Sequence, residues 1–113
     1  LVFILQRGVR FPQGPPIMKY FVYIIINITK AKSISYVGYT NNIEKRLTLH
    51  NTSKGAKFTK GRKWTLIYKK CYKTKSLAMK NEYLLKNDRI KRKNIKEKFL
   101  KEVHYENINS ITL

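Results

Sequence analysis

The sequence predicts an α+β fold, a three-stranded antiparallel sheet flanked by helices in the order β-β-α-β-α-α. Three observations carry this. "YFVYIII" (Tyr20–Ile26) is β-branched and aromatic throughout, which reads as a strand buried on both faces. Two further runs, "SYVGYT" (Ser35–Thr40) and "WTLIYKKCY" (Trp64–Tyr72), have strand composition. The segments after them carry helix-start signals and helical spacing.

In chain order, "NITKAKSIS" is polar and reads as the hairpin connection that returns Ser35–Thr40 beside the first strand. Asn41 is a good N-cap, and Glu44 three residues on completes a capping-box pattern for a short helix over about 42–51. "TSKGAKFTKGRK" is a basic loop with two glycines and leads into the third strand. Thr74 or Ser76 caps a second helix ending near Asn87, and "DRIKRKNIKEKFLKEV" forms a third, very basic one. Residues 1–17 hold all three prolines and no helical or strand period, so they are set apart as a non-native or disordered arm. Residues 18–101 form the domain, and 102–113 are a tail with no pattern of their own.

Composition narrows the function. The 113 residues make about one small domain, and 42% hydrophobic residues support a modest core. No run of ~18 apolar residues is present, so no membrane span is expected. The single Cys71 excludes an intramolecular disulfide and a cysteine-rich zinc site, and fits a reducing, cytoplasmic compartment. Lys and Arg number 25 against 6 Asp and Glu, a net charge of +19. That self-repulsion points to a polyanionic partner, nucleic acid above all. Between Glu44 and Glu82 lie twelve basic residues and no acid.

Several residues stand out against this background. On the first helix Ile43 and Leu47 mark the inward face, and Arg46 and His50 lie ~60° and ~20° from Ile43 on the wheel. Both therefore point toward the body. Arg46 snorkels and His50 is a satisfied core-edge histidine, or Arg46 holds a phosphate that His50 donates to or relays a proton for. On the second helix Glu82 falls on an apolar arc, ~40° from Ala78. A carboxylate there needs a cation: a lysine or arginine, or a divalent metal completed by waters and a substrate phosphate. Tyr23 and Tyr36, on adjacent strands and read as facing one another, either pack in the core or present phenols to a cleft, with Gly38 leaving room for close approach. Lys54, Lys57, Lys60, Arg62 and Lys63 alternate with Phe58 and Trp64, which suits a nucleic-acid backbone and an unstacked base, or describes a solvated loop. There is no Walker loop, no GxGxxG, no metal-type histidine spacing and no triad pattern.

Taken together, "FVYI", "SYVGYT", "RLTLHN", "GAKFTKGR" and Glu82 occur in an order that resembles a GIY-YIG nuclease domain, especially the small stand-alone bacterial members, over about 20–94. Phe21 stands where the first motif opens on Gly, and Asn94, twelve residues past Glu82, fits the last polar position. The resemblance implies metal-dependent hydrolysis of phosphodiester bonds in nucleic acid, with DNA favoured over RNA as the substrate and the choice between them open. It implies Tyr23 as general base with Tyr36 orienting, Arg46 on the scissile phosphate, and His50 assisting through a phosphate or tyrosine hydrogen bond. Glu82 would hold a single Mg2+ or Mn2+, and Asn94 would position Glu82 or the substrate. A protein partner would supply targeting. The competing readings are a basic nucleic-acid-binding module with little or no catalysis, and a ribosome- or RNA-associated structural protein.

Overall fold

The computed structural model describes residues 18–29 and 32–112; the arm expected over 1–17 lies outside them. Strand β1 (Tyr20–Ile28) is the central strand of a three-stranded sheet, with β2 (Ser33–Thr40) and β3 (Thr65–Tyr72) on either side and both pairings antiparallel. Helix α1 (Ile43–Asn51) follows β2, a single 3-10 turn (Lys57–Thr59) sits in the basic loop, and α2 (Lys75–Lys86) and α3 (Arg89–Thr112) close the chain. The α+β order is the expected one. No helix among the described residues is long and apolar enough to cross a membrane.

The uninterrupted apolar run of β1 is explained by its two faces. Val22 and Ile24 pack with Val37, Ala78 and Leu85 beneath α2. Tyr23 and Ile25 pack with Trp64 on the opposite face, against Ile43 and Leu47 of α1. A strand covered on both sides has no polar side to show, so alternation disappears from its sequence. The two core clusters are separate, and side-chain parity decides which one each β1 residue joins.

Three boundaries differ from the sequence reading. The hairpin is longer: Asn27 and Ile28 pair with Ile34 and Ser33, and the turn closes where Thr29 N–H and hydroxyl donate to the Lys32 carbonyl at 2.9 and 3.0 Å. Polar residues on an edge strand hid that extension. Helix α1 is capped by Asn42, whose side chain accepts from Lys45 N–H at 3.0 Å; Asn41 lies outside, and Glu44 is not at the capping-box position. Two adjacent asparagines offered the same cap chemistry, and only the backbone path chose between them. Helix α3 runs to Thr112 and takes in most of the residues set apart as a tail. Thr74 caps α2 through Leu77 N–H at 3.1 Å.

Candidate active site

Strand register assembles the site. Tyr23 on β1 stands opposite Gly38, while Tyr36 stands opposite Ile25. The two tyrosines therefore share a face but are diagonal neighbours rather than a facing pair. The space beside Gly38 is taken by the Tyr23 phenol: a Cβ there would lie 2.5 Å from the hydroxyl oxygen and 2.7 Å from Cζ. Glycine on the edge strand thus lets the buried Tyr23 ring lie over β2 at the wall of the cleft.

Tyr23 carries a hydrogen-bond chain inward. Its hydroxyl lies 2.8 Å from His50 Nε2, and His50 Nδ1 lies 2.9 Å from Thr59 Oγ1. The Thr59 hydroxyl also lies 2.7 Å from the Ala56 carbonyl, which can only accept. The single hydroxyl proton of Thr59 therefore goes to Ala56, so Thr59 Oγ1 accepts from His50 Nδ1–H. That fixes the tautomer: Nε2 bears the lone pair, and the Tyr23 hydroxyl donates to it. His50 and Thr59 are fully buried. A Cβ at Gly55 would fall 2.6 Å from His50 Nδ1, so that glycine leaves room for the imidazole.

Burial and the nearby positive charge of Arg46 lower the His50 pKa below its ordinary value, so the ring is neutral at pH 7. Burial pushes the Tyr23 phenol up to about 12, against the opposing influence of the neighbouring Arg46 guanidinium. The resting pair is a neutral phenol donating to a neutral imidazole.

The outer end of this chain opens into a polar cleft of about 510 Å³, lined by Tyr20, Tyr23, Tyr36, Gly38, Arg46, Lys75 and Glu82 among others. Arg46 Nε is buried and has no hydrogen-bond partner among the described residues. A buried unsatisfied donor costs roughly 1–3 kcal/mol, which an anionic ligand would offset. Glu82 is mostly shielded and pairs with Lys86 Nζ at 3.5 Å, one helical turn on.

Behind the cleft, Tyr36 packs edge-on against His50, with ring centroids 5.2 Å apart, and stacks on Phe58 at 6.2 Å. Half of Phe58 is exposed, and Arg62 covers its ring while donating from Nη1 to the Phe58 carbonyl at 2.7 Å. The basic loop is pinned: the Asn51 side chain accepts from Trp64 N–H at 2.6 Å and donates to the Trp64 carbonyl at 3.2 Å, and Trp64 Nε1–H donates to the Thr59 carbonyl at 3.0 Å. Lys54, Lys57, Lys60 and Lys63 stand exposed on this loop, with Arg62 half-buried.

The structure brings together Tyr23, Tyr36, Gly38, Arg46 and Glu82 at the cleft, with His50 behind Tyr23. Asn94 does not join them; it is exposed on α3 and does not line the cleft. Sequence reasoning missed Thr59, Gly55, Tyr20 and Lys75. Lys75, seven residues before Glu82, was findable from helical spacing. Thr59 carried no signal, since its partner is close only in space.

Glu82 is the candidate metal ligand, and the described residues contain no group of three or more His, Cys, Asp and Glu side chains that could hold an ion alone. One carboxylate beside an open, polar cleft fits a hard divalent ion that takes its other oxygens from water and a phosphate.

Residues 19–102 match the model of the GIY-YIG catalytic domain. Among curated proteins, a UPF0213 protein of Bacillus licheniformis is 48% identical over 75 residues, covering 66% of this chain and 74% of the relative. A UPF0213 protein of Staphylococcus haemolyticus is 46% identical over 70 residues, 60% of this chain and 80% of the relative. One from Lactiplantibacillus plantarum is 39% identical over 74 residues, 63% and 70%. That name states no activity. No solved structure matches the chain. With the family match spanning most of the sequence and falling on the strands and helices that build the cleft, the chain belongs to the GIY-YIG catalytic-domain family.

Proposed function

We propose that this protein is a divalent-metal-dependent endonuclease that hydrolyses phosphodiester bonds of DNA in the cleft between β2 and α2. The observation that carries the reading is the buried Tyr23–His50–Thr59 chain opening beside an unpartnered Arg46 Nε. A proton-accepting relay and a waiting anion-binding donor meet at one spot, which is what attack of water on a phosphate requires.

In the reaction, Arg46 donates to the non-bridging oxygens of the scissile phosphate and stabilises the charge that builds there. Water attacks phosphorus from the Tyr23 side. Its proton passes to the phenol oxygen as the phenol proton passes to His50 Nε2, so His50 becomes the imidazolium and the leaving oxygen departs with the P–O electron pair. Tyr23 thus shuttles the proton and His50 is the terminal base. A resident phenolate is disfavoured because the phenol pKa is raised and the imidazole pKa lowered. Thr59 holds the His50 tautomer that can accept. Tyr36 buttresses the imidazole, and Lys75 adds charge at the cleft wall. Glu82 would hold a single Mg2+ or Mn2+, which when bound supplies positive charge to the phosphate and the leaving oxygen. The loop cations Lys54, Lys57, Lys60, Arg62 and Lys63 hold the flanking backbone. Targeting to particular DNA would come from a protein partner.

The test is a panel of single- and double-stranded DNA and RNA with Mg2+, Mn2+ or chelator, comparing wild type with Glu82→Ala. Metal-dependent cleavage of DNA that is lost in Glu82→Ala supports the proposal. Salt-sensitive binding without cleavage of any substrate would replace it with the binding-module reading.

A further inference from the structure

A second concentration of positive charge lies away from the cleft. A cavity of about 300 Å³ is lined by Ser35 of β2 and by Arg89, Ile90, Arg92, Lys93 and Lys96 of α3. The four cations recur at i, i+3, i+4 and i+7, which places them on one face of the helix. No carboxylate lines this groove. Arg92 is held in place by donating from Nε to the Leu85 carbonyl at 3.1 Å, which leaves its remaining N–H groups fixed at the groove wall. Four like charges gathered around one hollow repel each other, and a row of anions relieves that.

The groove and the cleft share the β2 edge of the sheet. Ser35 and Gly38 belong to the same edge strand, three residues and so about 10 Å apart. Helix α2 runs from Lys75 at the cleft wall to Lys86, and α3 starts at Arg89 in the groove.

We propose that the groove between Ser35 and the basic face of α3 is a second DNA-backbone site, which holds phosphates flanking the one at Arg46 on the same duplex. Its register with the cleft rests on the nuclease reading; its binding chemistry does not. Phosphate contacts of this kind fix the position of the substrate and carry no base information.

The test measures the salt dependence of binding of a labelled DNA duplex of about 20 base pairs by the full chain, without added metal, so that cleavage is not needed. The groove variant is Arg89→Gln/Lys93→Gln/Lys96→Gln, which spares the structural Arg92. The control, Lys69→Gln/Lys70→Gln/Lys73→Gln, removes the same charge at and just beyond β3, the opposite edge. Each lost phosphate contact lowers the slope of log K against log salt by about 0.9, so the groove variant should lose about 2–3 and the control less than one. Thermal melts confirm that both variants are folded. A groove variant with the wild-type slope, or equal losses in groove and control variants, would overturn the proposal. Groove-dependent binding by a protein that cleaves nothing would overturn the nuclease reading and leave this one standing.

Discussion

Thr59→Val isolates the element of the site that is hardest to see in the sequence. Valine has the shape of threonine, so no cavity opens at this fully buried position. What disappears is one oxygen that donates to Ala56 and accepts from His50 Nδ1–H. The Ala56 carbonyl keeps the Thr59 backbone N–H at 2.9 Å, so its loss is partial. The His50 Nδ1–H is left buried with no acceptor, which costs roughly 1–3 kcal/mol of stability. The ring can escape that cost by moving its proton to Nε2, where it donates to Tyr23 and can no longer take the phenol proton. General-base assistance is worth roughly 10²–10⁴ in rate, so kcat should fall by at least about 10², while Thr59→Ser keeps the oxygen and stays close to wild type. Single-turnover cleavage, urea unfolding and the 15N shifts of His50 read the three consequences separately. A folded Thr59→Val protein that cleaves at the wild-type rate, or whose His50 keeps its proton on Nδ1, would refute the tautomer argument.

Four further outcomes follow from the same geometry. Gly38→Ala should cost about 1–3 kcal/mol in chemical denaturation and displace the Tyr23 ring, since the new methyl would sit 2.5 Å from its hydroxyl; an unchanged midpoint would contradict that packing. Gly55→Ala should act likewise through His50 Nδ1 at 2.6 Å, with loss of activity as well as stability in the same assays. His50 is neutral when folded and has a lowered pKa, so the unfolded chain binds the extra proton. Stability should therefore fall as pH drops below the unfolded value of ~6.5, and His50→Gln should flatten that limb of a pH series of melts. Activity needs the same neutral ring, so the acid limb of the rate profile should have its midpoint below the ordinary histidine value, and a midpoint above ~6.5 would argue against His50 as terminal base.

The parts of the fold written in local pattern were legible in the sequence. The apolar run of β1 and the cap chemistry at Thr74 or Ser76 lie within a few residues of what they specify; β1 starts at Tyr20 as read and runs two residues further, and Thr74 is the one that caps α2. The Asn41–Asn42 step was ambiguous because either side chain can cap, and α1 starts one residue later than the pattern suggested. The site was legible where a residue type carries chemistry on a predictable face, as for Arg46, His50 and Glu82. It was illegible where strand register or loop path decides. Register, set by the longer hairpin, puts Gly38 rather than Tyr36 opposite Tyr23. Thr59 reaches His50 only because the Asn51–Trp64 clip and the 3-10 turn fold the basic loop back over α1. Asn94 was placed by its distance from Glu82 along the chain, and the exposed surface of α3 carries it elsewhere.

The central claim is that the Tyr23 hydroxyl moves the proton of the attacking water while its ring only packs. Tyr23→Phe removes that oxygen and keeps the ring over Gly38. The direct measurement is single-turnover cleavage of bound DNA by wild type and Tyr23→Phe at saturating metal, with binding affinity measured alongside. The account predicts unchanged affinity and a rate lower by at least about 10². A Tyr23→Phe protein that cleaves at the wild-type rate would contradict it.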